Sequence, residues 1–144
     1  MPIKLPPEYP ALPCKVLSVK PFSAWAIIHG GKDVENRSFR TRHRGRVLIH
    51  ASNYRSRAEL EDDADYVRDL CPDMPDEVDS AGIIGSVEIH DVILYGEAKT
   101  IAEVCNLKIS EWAEPGAFQW TLTKPRALPF YECKGWLNVW TLKG

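Results

Sequence analysis

Five runs rich in β-branched and aromatic residues, broken by turn signals and few helical stretches, limit this chain more than any other feature. They are Lys15–Val19, Arg46–Ser52, Gly82–Tyr95, Phe118–Thr123 and Trp136–Leu142. Short strands with so few helices predict an α+β domain: a small mixed β-barrel or a strongly curved sheet, with flanking helices. A length of 144 residues suits one domain with a single core. Within the second run, Val47, Ile49 and Ala51 share one face, while Arg46, Leu48, His50 and Ser52 share the other.

Local signals place helices between these runs. Pro21 suits a first helical turn, Ala24, Ile27 and Ile28 fall on one face, and Gly30–Gly31 supply a left-handed stop. Ser56–Arg57–Ala58–Glu59 has the form of a capping box, opening a helix to about Leu70 with Leu60, Ala64 and Val67 as its buried stripe. Ile101–Asn106 and Ser110–Glu114 read as short helices, and Lys124–Pro129 as an extended connector stiffened by its prolines.

Charge is unevenly spread. Residues 32–46 hold six basic side chains (Lys32, Arg37, Arg40, Arg42, Arg44, Arg46) against Asp33 and Glu35, in a chain of net charge −2. A basic cluster in a near-neutral chain faces an anionic partner, and guanidinium groups match phosphate. Residues 54–80 are the reverse, with ten acids against three arginines, and read best as a solvated helix face. The four cysteines form no Cys-x-x-Cys pair and the histidines no His-x-x-x-His pair, so neither a metal site nor a cofactor is expected. No apolar run is long enough to span a membrane, and residues 1–8 lack the apolar stretch of a signal peptide. Free thiols in a reducing cytoplasm are the expectation.

Three segments resemble a known family: Leu17–Lys20 with Ala24–Ile27, then Gly30-Gly31-Lys32-Asp33-Val34-Glu35-Asn36-Arg37, then Arg44–Ser52. Phe118-Gln119-Trp120, Pro125–Pro129 and Cys133-Lys134-Gly135 extend the likeness. Together they look like the ASCH domain of the PUA-like superfamily. The resemblance implies a small mixed β-barrel over residues 15–144, behind an extended lead-in at 1–14. It also implies RNA binding or RNA processing, with a cleft across one face. One branch of such domains removes the acetyl group from N4-acetylcytidine. There the lysine at the Lys32 position works with a threonine three residues on and a more distant glutamate. Glu35 stands at that threonine position, and Glu111 or Glu114 falls where the distant glutamate could lie.

Lys32 is the first candidate, as a phosphate-binding cation or, with a lowered pKa, as a base or nucleophile. Glu35 could act as acid/base or accept a base amino group. In an extended segment Glu35 and Arg37 share a face opposite Lys32, a spacing at which a two-pronged ion pair is awkward. Arg40, Arg42, Arg44 and Arg46 are phosphate candidates, with an exposed hairpin as the plainer alternative. His50 and Ser52 could enter the cleft, although a satisfied polar pair is the better reading. Tyr54, Trp112 and Phe118 are candidates to stack on a base. The leading reading is an RNA-binding module with a basic cleft centred on Lys32. The alternative is a hydrolase of a modified nucleoside, or a ribonuclease, using Lys32 and Glu35. A protein-interaction adaptor using the acidic helix ranks third.

Overall fold

The computed structural model describes residues 3–144. Its elements run β1 (Cys14–Val19), α1 (Pro21–His29), β2 (Val34–Arg37), β3 (Gly45–Ala51), α2 (Arg57–Leu70), β4 (Gly82–Leu94), α3 (Tyr95–Cys105), β5 (Phe118–Glu132) and β6 (Val139–Leu142). The strands form one sheet in the order β2-β5-β4-β3-β1-β6. Only β1 and β3 are parallel; the other neighbours are antiparallel.

The α+β expectation holds, but the sheet is not closed into a barrel. Among the described residues β2 pairs only with β5, and β6 only with β1. Both edge strands are four residues long, and no ladder joins them. Lys124–Pro129 is not a connector either: it lies inside β5, which runs through Pro125 and Pro129 against β4. Past Thr121, among the described residues, β5 pairs only with β4, and a strand with one free edge can accommodate proline.

Both faces of the centre are buried. Leu17 and Ile49 are register partners on one face and pack against Ala24 and Ile27 of α1. Val16 and Leu48 are partners on the other and pack with Ile83, Leu128 and Leu142. Tyr9 joins this second layer and donates its hydroxyl to the Pro129 carbonyl at 2.6 Å, tying the lead-in to the sheet. Residues 1 and 2 of that lead-in lie outside the described residues.

Helix α1 buries more than the face expected of it, because Phe22 and Ala26 also pack against Ala64 and Val67 of α2. The α2 stripe differs in one member. Leu60 is 39% exposed, and buried Asp63 takes the inward place. Half of the expected capping box forms: Ser56 accepts from the Glu59 amide at 3.1 Å, while Glu59 Oε1 accepts from the Arg55 amide at 3.3 Å in place of the Ser56 amide. Helix α3 starts at Tyr95, well before the expected Ile101, and Ser110–Glu114 is not helical.

Candidate functional site

A cleft of about 1340 Å³ opens where the carboxyl ends of β1 and β3 meet α1, α2 and the loop before β6. Lys32 is among its lining residues. The Gly30 and Lys32 amides both donate to the Ala26 carbonyl, at 2.8 and 3.0 Å, and Gly31 takes φ +76° between them. This reversal folds Lys32 back beneath α2. A side chain at position 31 would be strained at that φ.

The Lys32 side chain is buried, with the residue only 3% exposed. Its Nζ donates to the Tyr66 hydroxyl at 2.9 Å and lies 4.8 and 5.3 Å from the Tyr66 and Trp112 ring centres. Tyr66 in turn donates to the Trp112 carbonyl at 2.8 Å. Lys32 forms no ion pair among the described residues. Burial lowers its pKa, and the carboxylates of Glu35, Glu114 and Asp63 oppose that shift. Two of its three N–H donors have no protein acceptor among the described residues.

Glu35 and Arg37 form the ion pair their spacing disfavours. Arg37 Nε and Nη2 reach the same Glu35 oxygen, Oε2, at 3.1 and 2.8 Å, and Nη2 also donates to the Ser18 carbonyl at 2.8 Å. Two prongs converge on one oxygen, which an i, i+2 spacing permits where a parallel fork would not fit. Oε1 keeps its acceptor capacity. Lys32 precedes β2, so strand alternation does not govern it, and Lys32, Glu35 and Arg37 all line one cleft. Asn36 donates to the Trp112 carbonyl and accepts from the Glu114 amide, at 2.8 and 2.9 Å, pinning the 110–114 loop with Glu114 at the cleft. Glu111 does not line it.

Asp63 holds the start of α1. It accepts from the Phe22 amide (3.1 Å), the Ser23 amide (3.3 Å), the Ser23 hydroxyl and the Tyr54 hydroxyl (2.6 Å). No side chain of α1's own N-cap does this work. A carboxylate at a helix N-terminus also meets the positive end of the dipole.

His50 closes the far side. The Cys133 carbonyl can only accept, so His50 Nε2 carries the proton across 2.8 Å. Nδ1 then accepts from Ser18 Oγ at 3.2 Å, and Ser18 Oγ accepts from Trp140 Nε1 at 3.0 Å. Burial lowers the His50 pKa. An unfolded chain takes up this proton near pH 6.5 and the native chain does not, so the contribution to stability is full above that pH and is lost below it. Urea midpoints at pH 7.5 and 5.0 should show the wild type losing more on acidification than His50→Gln, by at most about 1.4 kcal/mol per pH unit. Parallel losses would rule out this titration.

Residues 17–131, about four fifths of the chain, match the ASCH domain family model. The chain belongs to the ASCH domain family. No curated protein matches it.

In this ASCH domain the cleft gathers Lys32, Glu35, Arg37, His50 and Ser52, but not the rest of the expected set. Arg40, Arg42, Arg44 and Arg46 are exposed and outside the cleft lining. Arg40 lies over the Phe118 ring at 5.0 Å, Arg44 is 3.7 Å from Asp91, and Arg46 is the register partner of Glu88. The cleft is therefore not simply basic: Lys20, Lys32, Arg37, Arg55 and Lys134 face Glu35, Glu59, Asp62, Asp63, Glu114 and Glu132. The acidic helix α2 lines one wall, which the linear charge run does not reveal. The Tyr54 hydroxyl is taken by Asp63 and the Phe22 amide and the residue is outside the cleft lining, and Trp112 is buried and outside it too. Phe118 is outside the lining as well. The exposed aromatic of the cleft is Trp136, which stands in a strand-like run with no local sign of its role. Tyr66 is likewise silent in the sequence, because its partners are 34 and 46 residues away.

No group of three or more His, Cys, Asp or Glu side chains among the described residues is placed to hold a metal ion. None of the described helices is long and apolar enough to cross a membrane.

Proposed function

We propose that this domain binds one nucleotide of an RNA strand in the cleft around Lys32. One observation carries the reading: a buried ammonium faces the cleft with unused donors and no ion-pair contact among the described residues. Such a group is completed by an acceptor-rich ligand, either a phosphate oxygen or a base carbonyl. Glu35 Oε1 supplies the complementary acceptor for a base amino group, while Arg37 holds the carboxylate in place. The association of ASCH domains in general with RNA binding supports the same reading. The exposed arginines from Arg40 to Arg46 would meet phosphates beyond the cleft.

Titration of the full chain with a single-stranded ten-nucleotide RNA tests this. Affinity should fall with salt, each phosphate contact adding about 0.7 to the logarithmic slope. Charge reversal at Arg42 should reduce that slope by a similar amount. Absence of binding at low salt removes the proposal.

A second reading, hydrolysis of an acylated nucleoside, is favoured by the lowered pKa of Lys32 beside two carboxylates in one cleft. A neutral Lys32 would take the proton of an attacking water. Arg37 engages Glu35 Oε2 through two N–H groups, so Glu114 would be the proton carrier to the leaving amine. Incubation with N4-acetylcytidine should then show turnover that Lys32→Met and Glu114→Gln both lose, and wild type without turnover eliminates it.

A further inference from the structure

The loop between β5 and β6 places an aromatic surface at the cleft where the reading above puts one nucleotide. Trp136 is 59% exposed, whereas Trp112 is 6% and Trp120 0% exposed. Its ring carries the Lys134 ammonium at 4.6 Å from the ring centre, and both residues line the cleft. Leu137, 78% exposed, extends the apolar surface beside it.

The loop is fastened to the sheet just before Trp136. His50 donates to the Cys133 carbonyl, and the Cys133 amide donates to the Ala81 carbonyl at 3.1 Å. Gly135 lies against the His50 ring and the Ser18 hydroxyl so closely that a Cβ there would sit 2.6 Å from Nδ1 and 2.7 Å from Oγ. The ring is thus presented from a fixed base, which lowers the ordering cost of binding.

We propose that Trp136 is a stacking platform for the nucleotide adjacent to the one held at Lys32, with Lys134 meeting its phosphate. This rests on the RNA reading of the cleft and makes the ligand a strand of at least two nucleotides. Every base has a π-face, so the platform tolerates sequence while the inner cleft discriminates. A flanking cation serves the phosphate that follows each base.

The test compares a pentaribonucleotide with cytidine 5′-monophosphate on the full chain. Wild type should bind the pentamer at least tenfold more tightly. Trp136→Ala should lower the pentamer-to-monophosphate affinity ratio about tenfold or more, and Trp136→Phe should restore most of it. Lys134→Gln should reduce the salt slope for the pentamer by about 0.7. A ratio in Trp136→Ala within twofold of wild type overturns the platform and leaves the Lys32 site standing. Equal wild-type affinities for the two probes also overturn it. If wild type binds neither probe, the platform and the RNA reading fall together.

Discussion

Replacing Lys32 by methionine is expected to abolish RNA binding while leaving the fold as stable as before or more so. The ammonium is buried without an ion-pair contact among the described residues, and methionine fills similar space without that desolvation penalty. The contacts with Tyr66 and Trp112 offset part of the penalty, so the gain should be modest, about 1 kcal/mol. No new orphan is created, since the Tyr66 hydroxyl still donates to the Trp112 carbonyl. A ligand acceptor, in contrast, would lose its charged donor inside the cleft, worth about 2 kcal/mol or more and at least thirtyfold in affinity. Denaturation midpoints and RNA titrations on one preparation check both halves. A variant that is clearly less stable and still binds would make Lys32 a structural tie.

The largest loss of stability should follow from Asp63→Ala. Its carboxylate serves two amides of α1 and the hydroxyls of Ser23 and Tyr54; the Ser23 amide and both hydroxyls lose their acceptor at once, while the Phe22 amide keeps the Tyr54 hydroxyl at 3.0 Å. Stranding several buried donors and losing a helix cap should cost about 3–5 kcal/mol. Asp63→Asn should cost less, because one amide oxygen still accepts while its NH₂ group faces the remaining donors. Urea denaturation measures both. A loss below about 1 kcal/mol in the alanine variant would mean that water replaces the carboxylate at the α1 terminus.

Both residues show where the sequence was readable. Pro21, Gly31 and the Ser56–Glu59 box act within a few residues of themselves, and they placed α1 and α2 closely. The face assignment of β3 held for the same reason: alternation is a local property, and Val47, Ile49 and Ala51 do share the α1 side of the core. Lys32 could be picked out as a cleft residue because its motif lies on one continuous segment. Asp63 could not, because it sits in an acidic helix whose neighbours Asp62 and Asp65 are exposed, and its partners in α1 lie 40 and 41 residues earlier in the chain. The start of α3 was hidden by the apolar end of β4, which runs directly into it. Likewise the arginine run has one meaning as a charge pattern and another once α2 brings its carboxylates to the opposite wall.

The one parallel pair, β1 and β3, has a consequence for how such a site can change. Parallel neighbours need a crossover, and here the crossover carries α1, Lys32, Glu35, Asn36 and Arg37 between Lys20 and Arg44. The inner chemistry therefore travels as one contiguous cassette. Trp136 and Lys134 belong to a different loop at the other end of the chain. On the RNA reading proposed above, substitutions in the cassette would alter which base is accepted, while changes near position 136 would alter how much of the strand is gripped. Specificity and footprint can in this way vary independently on one unchanged sheet.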